Sequence, residues 1–275
     1  MLRGIIKREQ REDVVVLGSG AAGLTTAILA HDQGARVLIV ERTDKVGGTT
    51  AVSGGGVWIP RNHHMHEVGA QDSREEAIAY CKAIAMGRVD EGLIETFVDT
   101  APQMLRYIEE HTPLKFCAMT ATDYHAELPG GKLSGRSVEP KPFNTSGLGE
   151  WRARLRPPSS SPFPVTRQEA FGEFNAFYHP WKIPQDLVAQ RMSEGIVALG
   201  QALAAGLLKA VLDRKIPISL STRAQSLIME AGKVVGVRAE REGRTMDIPV
   251  KGAVVLATAG FEWNEDLKSK FLGGP

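Results

Sequence analysis

Six consecutive residues near the start of the chain have types and spacing suited to binding a phosphate-containing ligand. They read Gly18-Ser19-Gly20-Ala21-Ala22-Gly23. In such a run Gly18 allows a tight turn, Gly20 lets the backbone approach a pyrophosphate, and Gly23 permits close packing of a helix on a strand. The amides of that helix's first turn then face the anion. The pattern predicts a dinucleotide-binding turn.

A carboxylate in the expected place strengthens this prediction. Glu41 follows the next apolar run, Val37–Val40, and is itself followed by Arg42. An acidic residue at the end of the second strand of a dinucleotide-binding unit accepts hydrogen bonds from ribose hydroxyls. We therefore expect Glu41 to bind a ribose.

A second glycine-rich tract separates the two common dinucleotides. Residues 47–60 read Gly-Gly-Thr-Thr-Ala-Val-Ser-Gly-Gly-Gly-Val-Trp-Ile-Pro. A protein that binds NAD does not need such a tract after the ribose carboxylate. A protein that binds FAD does, because the long flavin portion of FAD requires backbone amides and small hydroxyl side chains near its ring. The tract therefore favours FAD, and its candidate contacts are Gly48, Thr49, Thr50, Ser53, Gly54 and Gly55.

Three histidines close together in sequence raise the possibility of a metal. His63, His64 and His66 follow this tract, but the sequence shows no complete ligand set around them. We predict no metal site. Trp58 and Phe261 are interpreted as packing residues, and Arg152–Arg156 as a solvated basic loop.

The elements that position these residues begin with a β-α-β unit. Val14–Leu17 and Arg36–Val40 are short apolar runs typical of strands buried on both faces of a parallel sheet. Between them, Ala21–Gln33 is rich in Ala and Leu and is followed by Gly34, which suits a helix end. The predicted fold is α/β, a Rossmann-like FAD-binding domain with a central parallel sheet, flanking helices and an added antiparallel β-hairpin region.

Further along, residues 73–87, 91–111 and 195–215 have helical spacing of apolar positions, and Ser73 with Glu76 fits a capping box. Residues 116–164 are dense in Gly, Pro and Ser and are predicted to be irregular, least structured at 157–162. Strands are predicted at 218–220, 224–231, 234–241, 245–250 and 254–258. We expect residues 1–12 to be a flexible tail and 13–275 to be one FAD-binding domain.

Composition limits the function classes. Hydrophobic residues make up 43% and charged residues 24%, and Lys+Arg 33 nearly balances Asp+Glu 32. This balance is typical of a globular protein with a small-molecule ligand and gives no reason to expect nucleic acid or membrane binding. No apolar run is long enough for a signal or a membrane span. Cys81 and Cys117 are not spaced for metal binding or redox chemistry, so we expect free thiols in the cytoplasm.

The motifs together resemble the fumarate reductase/succinate dehydrogenase class of flavoproteins, and within it the 3-ketosteroid 1-dehydrogenases. The most specific match is Gly48–Pro60. Further matches are Asp123-Tyr124-His125, Pro129–Gly131, 135–140, 201–209 and 257–264.

This resemblance implies where FAD binds beyond the first unit. A later strand around Ala224 and a turn containing Ala257, Thr258 and Gly260 are expected to contact the adenosine half. Ala259 stands where the family usually has a second glycine. Thr49 stands where respiratory members carry the histidine that links the flavin covalently, which implies noncovalent FAD.

The resemblance also implies a reaction. A ketone is desaturated next to its carbonyl, with a hydride passing to flavin N5 and a proton to a tyrosine base, after which a separate electron acceptor reoxidises the flavin. Tyr124 and His125 match the loop that supports this base, although the steroid enzymes are expected to have a second tyrosine in place of His125.

Two alternatives remain open, a fumarate or urocanate reductase and a noncatalytic FAD-binding remnant. Because family members continue for roughly as long again past Pro275, we expect the base and the substrate-capping domain to lie outside this chain. We expect the chain alone to be inactive.

Overall fold

The computed structural model describes residues 11–158, 163–176 and 178–273. Most of the predicted N-terminal tail and residues 159–162, part of the segment predicted to be least structured, lie outside this range. The chain divides into two compact units. The first contains the chain up to Thr49 together with Val211 onward, and the second contains Thr50–Ala210.

The strands within the described residues are β1 (Glu12–Leu17), β2 (Val37–Val40), β3 (Val57–Trp58), β4 (Phe116–Ala118), β5 (Ser137–Pro140), β6 (Phe143–Asn144), β7 (Ile196–Val197), β8 (Ile218–Ser219), β9 (Thr222–Glu230), β10 (Lys233–Arg241) and β11 (Arg244–Leu256). The α-helices are α1 (Ala21–Asp32), α2 (Gly48–Val52), α3 (Arg74–Ala85), α4 (Glu91–His111), α5 (Gln185–Ser193), α6 (Leu199–Asp213) and α7 (Glu265–Leu272). The described part of the chain contains no helix long and apolar enough to span a bilayer.

The first unit is built on a sheet with the order β8-β2-β1-β11-β10-β9. β8, β2, β1 and the second half of β11 run parallel, while β9, β10 and the first half of β11 form an antiparallel meander. Val15, Leu17 and Val40 share a core cluster with Val237 and Val250 of the meander. The predicted parallel sheet with an added antiparallel region is confirmed.

The opening β-α-β unit forms where the sequence predicts it. α1 ends at Asp32, and Gly34 follows with φ +88°. One difference concerns the last strands, because the segments predicted at 245–250 and 254–258 belong to one continuous strand, β11, which ends at Leu256. The strand continues through Gly252, where a side chain would meet the Asp13 carbonyl oxygen at 2.6 Å.

The second unit contains the antiparallel sheet β3-β5-β4 with α3 and α4. The predicted capping box is present, since the Ser73 hydroxyl accepts from the Glu76 amide and the Glu76 carboxylate accepts from the Ser73 amide. The prediction that residues 116–164 are wholly irregular is wrong. The segment contains β4, β5, β6 and a 3-10 segment at Thr145–Arg154. β4 pairs with β5 inside the segment, while β5 and β6 also pair with β3 and β7 outside it.

Candidate cofactor site

The glycine turn of the first unit has the close packing that its sequence requires. Gly18 has φ +110°, and a Cβ there would lie 2.3 Å from the Ala257 carbonyl oxygen. A Cβ on Gly23 would lie 2.1 Å from the Gly18 carbonyl oxygen. Both positions therefore exclude any side chain, and they hold the start of α1 against the ends of β1 and β11.

The start of α1 is suited to an anion. Gly20 is the N-cap, and no side chain caps the helix, so the first-turn amides are directed outward as in other helix N-termini. Gly47 and Gly48 run alongside this turn. The Gly47 amide donates to the Ser19 carbonyl oxygen at 3.1 Å, and a Cβ on Gly48 would lie 3.9 Å from Gly20 Cα. The second glycine tract thus begins next to the phosphate-binding turn.

Glu41 is a buried carboxylate at the end of β2, with 6% of the residue exposed. Its Oε2 accepts from the Ser19 amide at 3.2 Å and the Ser19 hydroxyl at 2.6 Å, and its Oε1 accepts from the Thr43 amide at 2.9 Å and hydroxyl at 3.0 Å. These four bonds match the four acceptor positions of an ionised carboxylate.

A ribose can bind Glu41 by replacing a hydroxyl donor. The Thr43 hydroxyl has a second acceptor, the Lys45 carbonyl oxygen at 2.8 Å. If a ribose hydroxyl took its place at Glu41 Oε1, the Thr43 hydroxyl would therefore still have a hydrogen-bond acceptor. The start of β9 also lies here, since the Thr222 amide donates to the Glu41 carbonyl oxygen and the Ser221 amide to that of Thr43, at 2.9 and 2.8 Å. Sequence reasoning missed Thr43, Ser221 and Thr222, although Thr43 carries the local signal of a hydroxyl beside the acidic residue.

Thr49 is held by residues distant in sequence. Its hydroxyl donates to Glu262 Oε1 at 2.6 Å and accepts from Trp263 Nε1 at 2.7 Å. The Thr49 hydroxyl keeps the pKa of Glu262 below its ordinary value, so this half-buried carboxylate is ionised at neutral pH. Glu262 and Trp263 were missed as neighbours of the candidate site. Phe261, predicted to be a packing residue, contacts the ring of Phe271 with centroids 6.0 Å apart, but 39% of the residue is exposed.

The turn after β11 lies next to Gly18. The Ala257 amide donates to the Leu17 carbonyl oxygen at 2.9 Å, and Thr258 Cα is 3.6 Å from a Cβ placed on Gly18. Ala259 has φ +56°, which explains why a glycine would suit this position. Ala224, in β9, pairs with Ala239 and packs against the core cluster of the sheet.

In the second unit, the candidate tract packs against the start of α6. The Ser53 hydroxyl donates to the Thr50 carbonyl oxygen at 2.8 Å, and the Ser53 carbonyl oxygen accepts from the Gly200 amide at 3.1 Å. Gly55 has φ +71°, and a Cβ there would lie 2.4 Å from the Leu199 carbonyl carbon. The space beside Gly55 is therefore occupied by another part of the same chain, the start of α6.

The candidate catalytic residues lie on a loop that is held in place by the buried contacts of a neighbouring residue, Asp123. Tyr124 is fully exposed, and His125 Nδ1 contacts Glu127 at 3.1 Å. The preceding Asp123 is buried and accepts from Trp58 Nε1 at 2.7 Å and from Arg136 Nη1 at 3.0 Å. Arg136 has no exposed side-chain surface and also forms a bidentate pair with Asp72.

Trp58 also stacks on Phe97 with ring centroids 6.0 Å apart, in agreement with its predicted packing role. The catalytic roles of Tyr124 and His125 stay predictions.

Comparison with known proteins decides the family. The FAD binding domain family matches residues 13–272, which contain the glycine turn, Glu41 and the turn after β11. The chain belongs to this family. FAD is therefore the cofactor, and the close-packed glycines and the uncapped start of α1 fit it.

The relatives of this FAD binding domain include dehydrogenases of oxo compounds. The chain is 37% identical over 282 residues to a 3-oxosteroid 1-dehydrogenase of Mycolicibacterium smegmatis, covering 97% of this chain and 50% of that protein. It is 37% identical over 268 residues to a 4-oxocyclohexanecarboxylate 2-dehydrogenase of Sinomonas cyclohexanicum, covering 94% and 45%.

The solved structure of 3-ketosteroid delta1-dehydrogenase from Sterolibacterium denitrificans, in complex with 1,4-androstadiene-3,17-dione, matches with a TM-score of 0.86 at 36% identity, covering 95% of this chain and 50% of that one. The chain thus spans about half the length of these relatives.

Proposed function

We propose that this chain is the FAD-binding half of an oxidoreductase that desaturates a ring ketone next to its carbonyl. The observation that carries the proposal is the Gly18–Gly23 turn with Glu41, in a chain at least 36% identical to three dehydrogenases of oxo compounds. Bound FAD supplies a hydride acceptor at flavin N5, and a separate acceptor removes the electrons.

The residues of this chain bind and orient the cofactor. The start of α1 receives the pyrophosphate, Glu41 accepts from a ribose, and the Ala257–Gly260 turn supports Gly18. Thr49, Thr50 and Ser53 remain the candidate contacts of the flavin. We propose noncovalent binding, because Thr49 stands at the position of the linking histidine and its hydroxyl is bonded to Glu262.

An arginine in the second unit favours an acidic ketone among possible substrates. Arg167 lines a cavity of about 290 Å³ whose other walls are largely apolar. Its guanidinium carbon lies 3.0 Å from a Cβ placed on Gly54, its charge acts on the buried Glu139, and its backbone amide donates to Glu139 Oε2 at 2.9 Å. An apolar cavity with one cation suits a ring ketone that carries a carboxylate. Tyr124 and His125 are proposed to support the proton transfer.

The cofactor assignment is tested on the chain itself. Purified protein incubated with FAD and freed of excess is expected to be yellow, to keep flavin absorbance after gel filtration, and to release the flavin on denaturation. Colourless protein would contradict the binding, and flavin retained through denaturation would contradict the noncovalent link.

The reaction is tested on the protein encoded by the whole reading frame that contains these residues. With an artificial electron acceptor, we expect oxidation of 4-oxocyclohexanecarboxylate, with 4-androstene-3,17-dione as the steroid alternative. R167M is expected to raise KM for the acid at least tenfold, whereas R223M, which alters an exposed arginine of β9, leaves KM unchanged. No oxidation of either ketone would refute the reaction class, and equal KM for wild type and R167M would refute only the acidic substrate.

The cytoplasm is proposed as the compartment on the basis of Cys81 and Cys117, both free thiols in the structure.

A further inference from the structure

Two of the three histidines that follow the glycine tract converge on one carboxylate. His63 Nε2 lies 2.6 Å and His64 Nε2 lies 3.0 Å from the same oxygen, Oε2 of Glu109. The three side chains are 23%, 11% and 10% exposed, respectively. Glu109 lies near the end of α4, so the cluster joins two segments about 45 residues apart. Glu109 is too far from the histidines along the chain for a local sequence pattern to indicate this ligand set.

A second carboxylate holds His64 from its other side. Glu67 Oε1 lies 2.7 Å from His64 Nδ1, and Glu67 Oε2 accepts from the Ala118 amide at 2.9 Å. A neutral imidazole has one N–H and cannot donate to carboxylates from both nitrogens. The contact between His64 Nε2 and Glu109 Oε2 at 3.0 Å therefore holds either a proton, on the ring or on the carboxyl oxygen, or a metal ion.

We propose that His63, His64 and Glu109 bind a divalent transition metal, with Zn²⁺ as the representative ion. Two imidazole nitrogens and one carboxylate oxygen are a common ligand set for zinc, with a water as the fourth ligand. Glu67 then serves as the carboxylate that orients a metal-bound histidine through its second nitrogen. His63, His64, Glu67, Glu109 and the ion together carry no net charge when both histidines are neutral.

The cluster is partly shielded from solvent. Burial, and then the neighbouring His64, lower the pKa of His63. Burial opposes ionisation of Glu109, but the Phe116 amide and the histidines still keep its pKa below the ordinary value. His63 is held through Nε2 alone, since Nδ1 is buried without a hydrogen-bond partner among the described groups.

The fit requires only a small movement. Ligand atoms around a tetrahedral zinc ion with bonds of about 2.0–2.1 Å lie roughly 3.3 Å apart. The contacts of 3.0 and 2.6 Å therefore need to open by about 0.3 and 0.7 Å, the larger movement at His63, whose ring has no second polar contact among the described groups to restrain it. The bound ion would fix residues 62–68 to the end of α4, and through the Ala118 amide to β4.

The first experiment is a competition titration of chelator-treated protein with Zn²⁺ at pH 7.5 against a chromophoric chelator. We expect one ion per chain, with binding at least tenfold weaker in H63Q and in E109Q, which preserves the size of Glu109. H66Q is the matched control, because His66 belongs to the same segment but its Nδ1 faces the His63 carbonyl oxygen. Absence of stoichiometric binding, or equal binding by wild type and folded E109Q, would overturn the proposal.

A second measurement needs no variant. In wild-type protein, Zn²⁺ is expected to protect His63 and His64 from diethyl pyrocarbonate, read by peptide mass spectrometry, while His66 stays reactive. Equal modification of all three histidines with and without Zn²⁺ would overturn the assignment and leave a hydrogen-bonded cluster without a metal. Neither measurement depends on FAD or on enzymatic activity.

Discussion

Glu41 combines a structural and a ligand-binding role in one carboxylate. It anchors the amides of Ser19 and Thr43, and it is the proposed acceptor for the ribose. We predict that E41A weakens FAD binding by about 1–3 kcal/mol, because hydrogen bonds to a buried charged group are lost. Flavin fluorescence titration measures this. D44N, an exposed carboxylate nearby, is the control and should bind like wild type. Unchanged affinity in a folded E41A protein would remove Glu41 from the site.

Ala259 is a residue whose backbone conformation disagrees with its type. Its φ of +56° lies in the left-handed region of backbone conformation. A residue with a Cβ is about 1–2 kcal/mol less stable there than in the right-handed region, whereas glycine has no such penalty. After the entropy that glycine loses on folding, A259G should raise the free energy of unfolding by about 0.5–1 kcal/mol. A253G, in the regular strand β11, should lower it by a similar amount. Denaturant unfolding compares the two, and a destabilised A259G protein would show the turn is not strained.

At the scale of elements, the start of α6 and the glycine tract depend on each other. Gly55 and Gly69 have similar φ, +71° and +65°, but a Cβ on Gly55 would meet the backbone of Leu199, whereas one on Gly69 has open space. G69A measures backbone strain alone, about 1–2 kcal/mol. G55A adds a steric clash with backbone and should cost at least about 2 kcal/mol more. If G55A and G69A lost equal amounts of unfolding free energy in thermal or denaturant unfolding, α6 would have shifted to accommodate the new Cβ without loss of stability.

The short π-helix Gln168–Glu173 is tied to α5 by an ion pair. Arg191 bonds both oxygens of Glu169, at 2.6 and 2.8 Å. Burial opposes ionisation of Glu169, but Arg191 and the Thr166 amide keep its pKa below the ordinary value of 4.5. A carboxyl group whose pKa is lower in the folded state stabilises the fold above pH 4.5 and loses this effect as the pH falls.

We therefore predict that E169Q lowers the free energy of unfolding by about 1–2 kcal/mol at pH 7 and by less at pH 3.5. E265Q is the matched control, because Glu265 pairs with Lys268 on the surface with 81% of its side chain exposed. Its effect should stay below about 0.5 kcal/mol at both pH values. Denaturant unfolding at the two pH values measures both variants, and a loss for E169Q that does not depend on pH would contradict the ion-pair explanation.

The secondary-structure elements also explain which parts of the candidate site could be predicted from the sequence. Gly18, Gly23 and Glu41 carry local signals, since a strand, a turn and a helix within 30 residues determine their roles, and the β-α-β unit formed as predicted. The Thr49–Glu262 bond joins residues 213 positions apart, and Gly55 meets Leu199 from a distant helix. Glu109 likewise reaches His63 and His64 through the packing of α4. No local pattern marks such contacts, because they depend on which elements pack together.

At the scale of the whole molecule, the proposed FAD contacts predict which backbone segments exchange their amide hydrogens more slowly when FAD is bound. A ligand that binds only the folded state at 100 times its Kd adds about 2.7 kcal/mol of stability. In native hydrogen exchange, we expect the largest slowing at Gly18–Leu24, Glu41–Thr43 and the turn after β11, which contain the proposed pyrophosphate and ribose contacts.

The turn between β9 and β10, at Ala231 and Gly232, is the internal control, since it joins two antiparallel strands and contains none of the proposed contacts. Its exchange should change least, because a hairpin turn opens locally without unfolding the sheet. Peptide mass spectrometry with and without FAD resolves these segments. Slowing confined to the hairpin, or absent from Gly18–Leu24 while flavin is retained, would place the dinucleotide elsewhere in the chain and contradict the turn as its binding site.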